Sequence, residues 1–237
     1  MDDDVSPKLG FDLRNPNFPE DKITYRMLLT HTSSLLDTDK FEEFIYYIKE
    51  PSNPIPSLKE LVTPNSTWFS TDLFRADKPG SVFKYANVNF GIIATLMEKM
   101  TGRRFDEYMR DQIFRPIGIK GSFNIDDLNQ SDIENIAVLY ESGKPSFDKF
   151  NGVAPPKRDF SKYEVGSNGF LFAPQAGLRL TSRELARIAQ LIMNQGSYGF
   201  VQILKASTVQ LLSKREWLFN GNNSNSSGIF KAWGLGA

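Results

Sequence analysis

The 237-residue sequence has no cysteine and a single histidine, His31. Without thiols there is no disulfide and no thiolate metal site, and the usual marker of redox compartment is missing. With one imidazole, a Ser-His-Asp triad, Cys-His catalysis and a zinc site of the ordinary His and Cys type have almost no material. Net charge is absent as well. Lys plus Arg and Asp plus Glu number 28 each, so no overall field draws the chain toward nucleic acid or an anionic membrane. Apolar runs are broken by Lys, Glu, Asn or Gly within a few positions, so no membrane span is expected. Met1-Asp2-Asp3-Asp4 is acidic where a secretory signal would be basic and then apolar, and no targeting signal is visible. There is no Gly-rich phosphate loop ending in Lys-Ser or Lys-Thr, and no repeat of fixed period. The acidic clusters Asp2-Asp3-Asp4 and Asp126-Asp127 lack the glycine and spaced ligands of a calcium loop and read as exposed charge. Neither a metal nor a cofactor is expected.

What the sequence does contain is helical spacing. Phe41, Phe44, Ile45 and Ile48 share one face ahead of Pro51, and Ile92, Ile93, Leu96, Met97 and Met100 form a stripe closed by Thr101-Gly102. Phe105, Tyr108 and Met109 predict another helix that finishes before Pro116. Thr181-Ser182-Arg183-Glu184 fits a capping box, with Leu185, Ile188, Ala189 and Ile192 on one side and Gly196 as the stop. Strand signals are fewer: Gly169-Phe170-Leu171-Phe172, Leu178-Arg179-Leu180, and the stretch from Gly228 to Gly236. Glu50 to Pro56, Gly143 to Pro156 and the polar tract 220–227 read as loops, the last a flexible surface loop. Size and composition suit one substantial domain or two small intimate ones, and a single domain covering residues 1–237 is expected.

One local arrangement carries chemistry. The loop from Pro79-Gly80 through Tyr85-Ala86-Asn87 runs into the helix that ends at Thr101-Gly102. Residues two apart in an extended approach can point the same way, so Tyr85 and Asn87 could face one crevice. Tyrosine titrates near ~10, but a neighbouring ammonium favours its phenolate and makes it a base for a serine hydroxyl. The carboxamide can hold a substrate carbonyl or orient that ammonium. By itself Tyr-x-Asn describes a buried tyrosine beside a turn asparagine equally well.

Three further stretches give the pattern a context. The Pro-Gly, Tyr-x-Asn and Thr-Gly of this segment resemble a motif of the penicillin-binding-protein and class C β-lactamase superfamily, whose members include D-alanyl-D-alanine carboxypeptidases and esterases. Ile23 to Leu35, with Leu28-Leu29-Thr30-His31-Thr32-Ser33-Ser34, resembles that family's Leu-Leu-Thr-His-Thr-Ser-Gly signature, Ser34 standing where glycine is usual. Ala176-Gly177-Leu178 through Glu184-Leu185-Ala186 is similar to its Gly-Gly-Leu and Asp-Leu-Ala stretch, and Asp2-Asp3-Asp4-Val5 to its Leu-Asp-Asp-x-Val turn. The resemblance spans nearly the whole chain in the right order.

The resemblance implies an α/β (α+β) fold, an antiparallel sheet flanked by helices beside a mainly helical subdomain, with the sheet incomplete in this chain. It implies Tyr85 as the catalytic base partner, Asn87 as a substrate-binding residue, and His31 as a support for the fold near the site. The family's Ser-x-x-Lys nucleophile motif is expected ahead of Met1, and its Lys-Thr-Gly or His-x-Gly element beyond Trp233-Gly234-Leu235-Gly236. Two formal Ser-x-x-Lys matches, Ser81 with Lys84 and Ser146 with Lys149, lie in loops and read as coincidences. The full-length expectation is a serine hydrolase acting on an amide, ester or lactam in a small molecule or peptide, with this chain inactive alone; the alternative is a non-catalytic interaction or scaffold protein. A protein partner, a neighbouring segment or an oligomer is expected to cover the sheet edge. Relatives of this kind are often extracytoplasmic, and compartment is left open.

Overall fold

The stretch from Val88 to Thr101 is apolar on most of its circumference, which suits a helix buried on several sides rather than one lying on a surface. The computed structural model, which describes residues 1–146 and 157–236, builds the molecule around it. Nine α-helices occur among the described residues: α1 Ser6–Leu9, α2 Tyr25–Leu29, α3 Asp39–Lys49, α4 Leu58–Val62, α5 Val88–Thr101, α6 Phe105–Tyr108, α7 Gln130–Glu134, α8 Ser182–Met193 and α9 Ala206–Leu212. Three antiparallel two-stranded ladders accompany them. These pair β1 Leu139–Glu141 with β2 Lys144–Ser146, β3 Ser197–Tyr198 with β4 Val201–Gln202, and β5 Trp217–Leu218 with β6 Ala232–Trp233. The result is a mixed α/β architecture with little sheet. Among the described residues no helix is long and apolar enough to cross a membrane.

Helix α5 packs against α1, α2, α6 and a short 3-10 turn, Gly169–Phe172. Val88, Ile92 and Leu96 enter the main core with Val5, Leu9, Leu28, Phe41, Phe44 and Phe170. The approach is close: a Cβ on Gly91 would lie 1.9 Å from the ring of Phe170. At its C-terminus Gly102 takes φ 66° and donates to the Glu98 carbonyl, the left-handed cap that glycine allows. Glu98 itself is fully buried. Its carboxylate accepts from Phe105 N, Tyr163 Oη and Gly166 N at 2.8, 2.7 and 2.7 Å, tying the helix to two later loops.

The capping signals act as read. Thr38 Oγ1 accepts from Phe41 N at 3.1 Å to begin α3, whose Phe41, Phe44, Ile45 and Ile48 are buried. At α8, Thr181 and Glu184 form the reciprocal box, and Gly196 with φ 93° follows soon after its end. After Tyr108 the helix continues as a π-helical turn, Met109–Phe114, and then a 3-10 turn, Arg115–Ile117, that admits Pro116 near its start.

Other expectations are corrected. Residues 169–172 form no strand. Asn168 caps them as a 3-10 turn by accepting from Phe170 N at 3.1 Å, while Gly169 N donates to Thr95 Oγ1 of α5 at 2.8 Å, so the apolar run is used against a helix. Leu178-Arg179-Leu180 contributes only the isolated bridge between Ser122 and Arg179, and 228–236 only the two residues of β6. On α8 the buried apolar residue is Leu191, backed by Ile188 against Phe114, Ile117 and Ile119. Leu185 and Ile192, read with Ile188 and Ala189 as one side of the helix, are exposed together with Ala189 and Met193. Of the loop from Gly143 to Pro156, residues 147–156 lie outside the described residues, and with them Lys149 of the second Ser-x-x-Lys match.

Candidate functional site

The loop ahead of α5 is strapped to the turn at the end of α2. Gly80, at φ 88°, donates to the Thr32 carbonyl at 2.7 Å, and Lys84 N to the His31 carbonyl at 2.8 Å. Ala86 N donates to His31 Nδ1 at 3.2 Å. Side chains then alternate, with Phe83 and Ala86 buried, Lys84 and Tyr85 exposed and Asn87 half-buried. Ser81 is exposed, its Oγ donates to the Lys78 carbonyl at 2.6 Å, and the span to Lys84 is not helical. That match therefore lacks the single helical turn that would set a lysine against a serine.

His31 is the seat of this arrangement. Its backbone holds φ 55° and its ring is buried. Because Nδ1 accepts from a backbone N–H, the neutral ring carries its hydrogen on Nε2; Nε2 has no hydrogen-bond partner among the described residues. Burial lowers its pKa to about 4, so the ring is neutral at physiological pH. The Tyr85 ring lies on it with centroids 4.4 Å apart and planes at 30°. Phe230 is nearly parallel to Tyr85 at 6.3 Å, while Trp233 stands across it at 6.0 Å and 78°. Tyr85 remains 39% exposed. Trp233 is fixed by its Nε1, which donates to the Leu29 carbonyl at 3.1 Å, and Gly236 N donates to the same carbonyl at 3.0 Å.

Asn87 is held from another direction. It has helical φ and ψ of −66° and −29°, and its side chain does not cap its own helix. The acceptor comes from Asp37, whose carboxylate receives Asn87 N at 2.8 Å, Asn87 Nδ2 at 2.8 Å and Val88 N at 2.9 Å. An anion at this helix start is also favoured by the aligned peptide dipoles. Asn89, buried two positions further on, accepts from Ser33 Oγ at 2.6 Å and lies 3.2 Å from His31 Nδ1.

Tyr85 and Asn87 thus stand on one ordered loop, both reaching solvent, with no hydrogen bond to each other. Two shallow cavities lie elsewhere. One of about 260 Å³ runs along Leu212 to Arg215 and Ala232 to Gly234; another of about 410 Å³ is lined by Asp4, Ser6, Pro7, Gly10, Phe11, Asp12 and Arg14. Trp233 connects the first to the ring cluster around Tyr85. No group of three or more potential metal ligands is arranged for a metal among the described residues. Sequence reasoning missed Asp37 and Phe230, and named Trp233 only as part of the segment leading toward the family's last motif. No sequence signal pointed to Asp37, because asparagine is itself a preferred N-cap residue and only the structure shows that the Asn87 side chain leaves α5 uncapped.

Comparison with known proteins gives the same outline over the whole chain. The sequence model of a family described as beta-lactamase matches residues 1–236. An Escherichia coli K12 protein named "Putative D-alanyl-D-alanine carboxypeptidase" is 25% identical over 162 residues, 61% of this chain and 36% of that protein. Among solved structures, the octameric penicillin-binding protein homologue from Pyrococcus abyssi superposes with a TM-score of 0.60 at 19% identity, over 100% of this chain and 47% of that one. A D-stereospecific amidohydrolase from Streptomyces gives 0.53 at 20% identity, over 100% and 62% respectively. These two structural likenesses are of fold. The chain spans about a third of the length of the carboxypeptidase-named relative and about half that of the octameric one.

Proposed function

The chain belongs to the beta-lactamase family, and from that premise we propose that the protein containing it is a serine hydrolase that cleaves an amide, ester or lactam through an acyl-enzyme, with Tyr85 as base partner and Asn87 as a substrate-side ligand. In this reading a Ser-x-x-Lys helix joins ahead of residue 1. Its serine oxygen adds to the carbonyl carbon, and the hydroxyl proton passes to the Tyr85 oxygen acting as base. Expulsion of the leaving group takes that proton back, and water then hydrolyses the acyl-serine.

The observation that carries the reading is the seating of Tyr85. Its phenol is solvent-accessible, while the ring rests on a buried neutral imidazole and its loop is bonded to the turn 29–34. Such a group is preorganised, as proton transfer requires. The segment 233–236, similar to the strand that leads to the family's last motif, lies against the same ring cluster. The names of the two relatives, a D-alanyl-D-alanine carboxypeptidase and a D-stereospecific amidohydrolase, make amides of D-configured residues the substrates to try first. The exposed row Leu185, Ala189, Ile192 and Met193 supports a covering partner or further chain segment, and a fold relative that is octameric gives such assembly a precedent.

The test is intact-protein mass spectrometry of the full-length protein after incubation with a fluorophosphonate or penicillin probe. One covalent adduct is expected, and Tyr85→Phe should slow its formation by about 100-fold or more. An undiminished rate in Tyr85→Phe removes Tyr85 from the mechanism; no adduct in the parent favours a non-catalytic role.

A further inference from the structure

We infer that Asn220 is a self-modification site, where the fold promotes closure of the side chain onto the Gly221 nitrogen and leaves a new acid on the turn that holds Phe83. Asn-Gly occurs three times in the sequence, beginning at 151, 168 and 220, and the first pair lies outside the described residues. At 220 both residues are exposed. Asn220 Oδ1 accepts from Asn222 N at 3.0 Å and from Asn223 N at 3.1 Å, while Asn220 N donates to Asn223 Oδ1 at 3.0 Å. Both bonds to Oδ1 reach past Gly221, so the carboxamide is folded back over that peptide. Gly221 N is the one backbone N–H of the turn 220–223 without an acceptor among the described residues. A Cβ on Gly221 would meet nothing within 4 Å, so the approach to this nitrogen is open.

The chemistry needs only water. Hydroxide takes the Gly221 N–H proton, and the nitrogen adds to Asn220 Cγ to close a cyclic imide. The oxygen that gains negative charge in this addition is Oδ1, which already receives two backbone N–H groups, and donors fixed in advance at such an atom lower the barrier. As the carbonyl re-forms, the Cγ–Nδ2 bond breaks and Nδ2 takes a proton from water to leave as ammonia. Water then opens the ring at either carbonyl, giving aspartate or isoaspartate. Asn168-Gly169 is closed to the same reaction. Its Oδ1 also accepts from the N–H two residues on, Phe170 N at 3.1 Å, but Gly169 N donates to Thr95 Oγ1 at 2.8 Å and Asn168 Nδ2 to the Pro56 carbonyl at 2.7 Å, and the asparagine is fully buried. At 220 the product reaches the candidate site, because the Asn223 carbonyl accepts from Phe83 N at 2.9 Å on the loop that carries Tyr85. Isoaspartate inserts a methylene into the backbone of the turn that presents this carbonyl.

The two asparagines are compared in one experiment. The full-length protein is held folded in mildly alkaline buffer, beside synthetic peptides of residues 163–179 and 216–231, and sampled over days. Trypsin releases the same two stretches from the protein, and mass spectrometry measures the acid formed in each. Asn220 should convert about threefold or more faster in the protein than in its peptide, and Asn168 about 100-fold or more slower than in its own. An Asn220 rate no faster than that of the peptide overturns promotion by the fold. Equal rates at Asn168 and Asn220 in the protein overturn the part assigned to the free Gly221 nitrogen. The acid-bearing protein, isolated by anion exchange and assayed for isoaspartate by enzymatic methylation, should melt about 3 °C or more below Asn220→Asp, which has the acid on an ordinary backbone. Coincident melting overturns the link to Phe83.

Discussion

Protonating His31 should cost the fold several kilocalories per mole, and the cost has a defined pH window. The imidazole is buried, its Nδ1 already accepts from Ala86 N, and Phe83, Tyr85, Phe90 and Trp233 surround it. A second ring proton would displace the Nδ1 bond and place a charge among aromatic rings. Burial lowers the folded pKa from 6.5 to about 4. At about 1.4 kcal/mol per pH unit the gap corresponds to about 3 kcal/mol. Because the folded value lies below the unfolded one, the unfolded chain takes up the proton first as pH drops. Stability is therefore fully present above about 6.5, declines through the interval, and is lost once pH reaches about 4. His31→Asn is the suitable reference, since Asn Oδ1 occupies the position of Nδ1 and asparagine tolerates the backbone φ of 55° better than most residues. Urea unfolding of both proteins at intervals from pH 7 to 4 cancels the carboxylate titrations they share. The parent should exceed His31→Asn by about 2–4 kcal/mol at pH 7, from the lost ring packing, and the margin should shrink by about 3 kcal/mol by pH 4. A margin that stays constant across the interval refutes the argument.

Truncation of Glu98 should be more severe. Glu98→Ala strands Phe105 N, Gly166 N and Tyr163 Oη in the interior, for a loss of about 3–6 kcal/mol by denaturant titration. Burial raises the Glu98 pKa, against the three hydrogen bonds that lower it. Its ionisation therefore costs stability as pH rises through the folded value, and Glu98→Gln should abolish that part of the pH dependence. Ser34 has φ 67°, so Ser34→Gly should relieve about 1 kcal/mol of backbone strain and offset the lost Oγ contact with Asn15. Ser34→Ala has no such relief and should melt below Ser34→Gly; the reverse order would contradict the strain assignment.

Much of the helical framework could be read directly, because the relevant signals are local. Thr181 and Glu184, or Gly102 after a stripe of apolar residues, act within one turn of the helix they bound. Strand reading was weaker, since a short apolar run such as 169–172 looks the same whether it pairs with a strand or wedges onto a helix. Only Gly91, whose missing side chain makes room for Phe170, decides between them. On α8 the apolar side was legible and its surroundings were not, since period 3.6 reveals an apolar face and not what it meets. At the candidate site, Tyr85 and Asn87 were visible through motif and spacing. The bond from Asp37 and the packing of Phe230 and Trp233 on Tyr85 were not, because contacts across 50 or more residues leave no periodic trace in the chain. Ser34 was legible as a departure from the Leu-Leu-Thr-His-Thr-Ser-Gly signature that this stretch resembles, and its positive φ is a conformation that glycine adopts without strain.

The wall around Tyr85 is closed by residues that leave the ribosome long after the turn they fasten. Trp233 reaches back 204 positions to Leu29, and Arg26 pairs with Glu216 across 190. A nascent chain that has not yet reached β5 could complete α5 and much of the core around it, yet could not close the ring cluster. Ribosome-stalled intermediates should accordingly show protected amides in α5 well before Trp233 fluorescence shifts, and a protease nick in the tract 220–227 should unzip the wall while sparing the central helix.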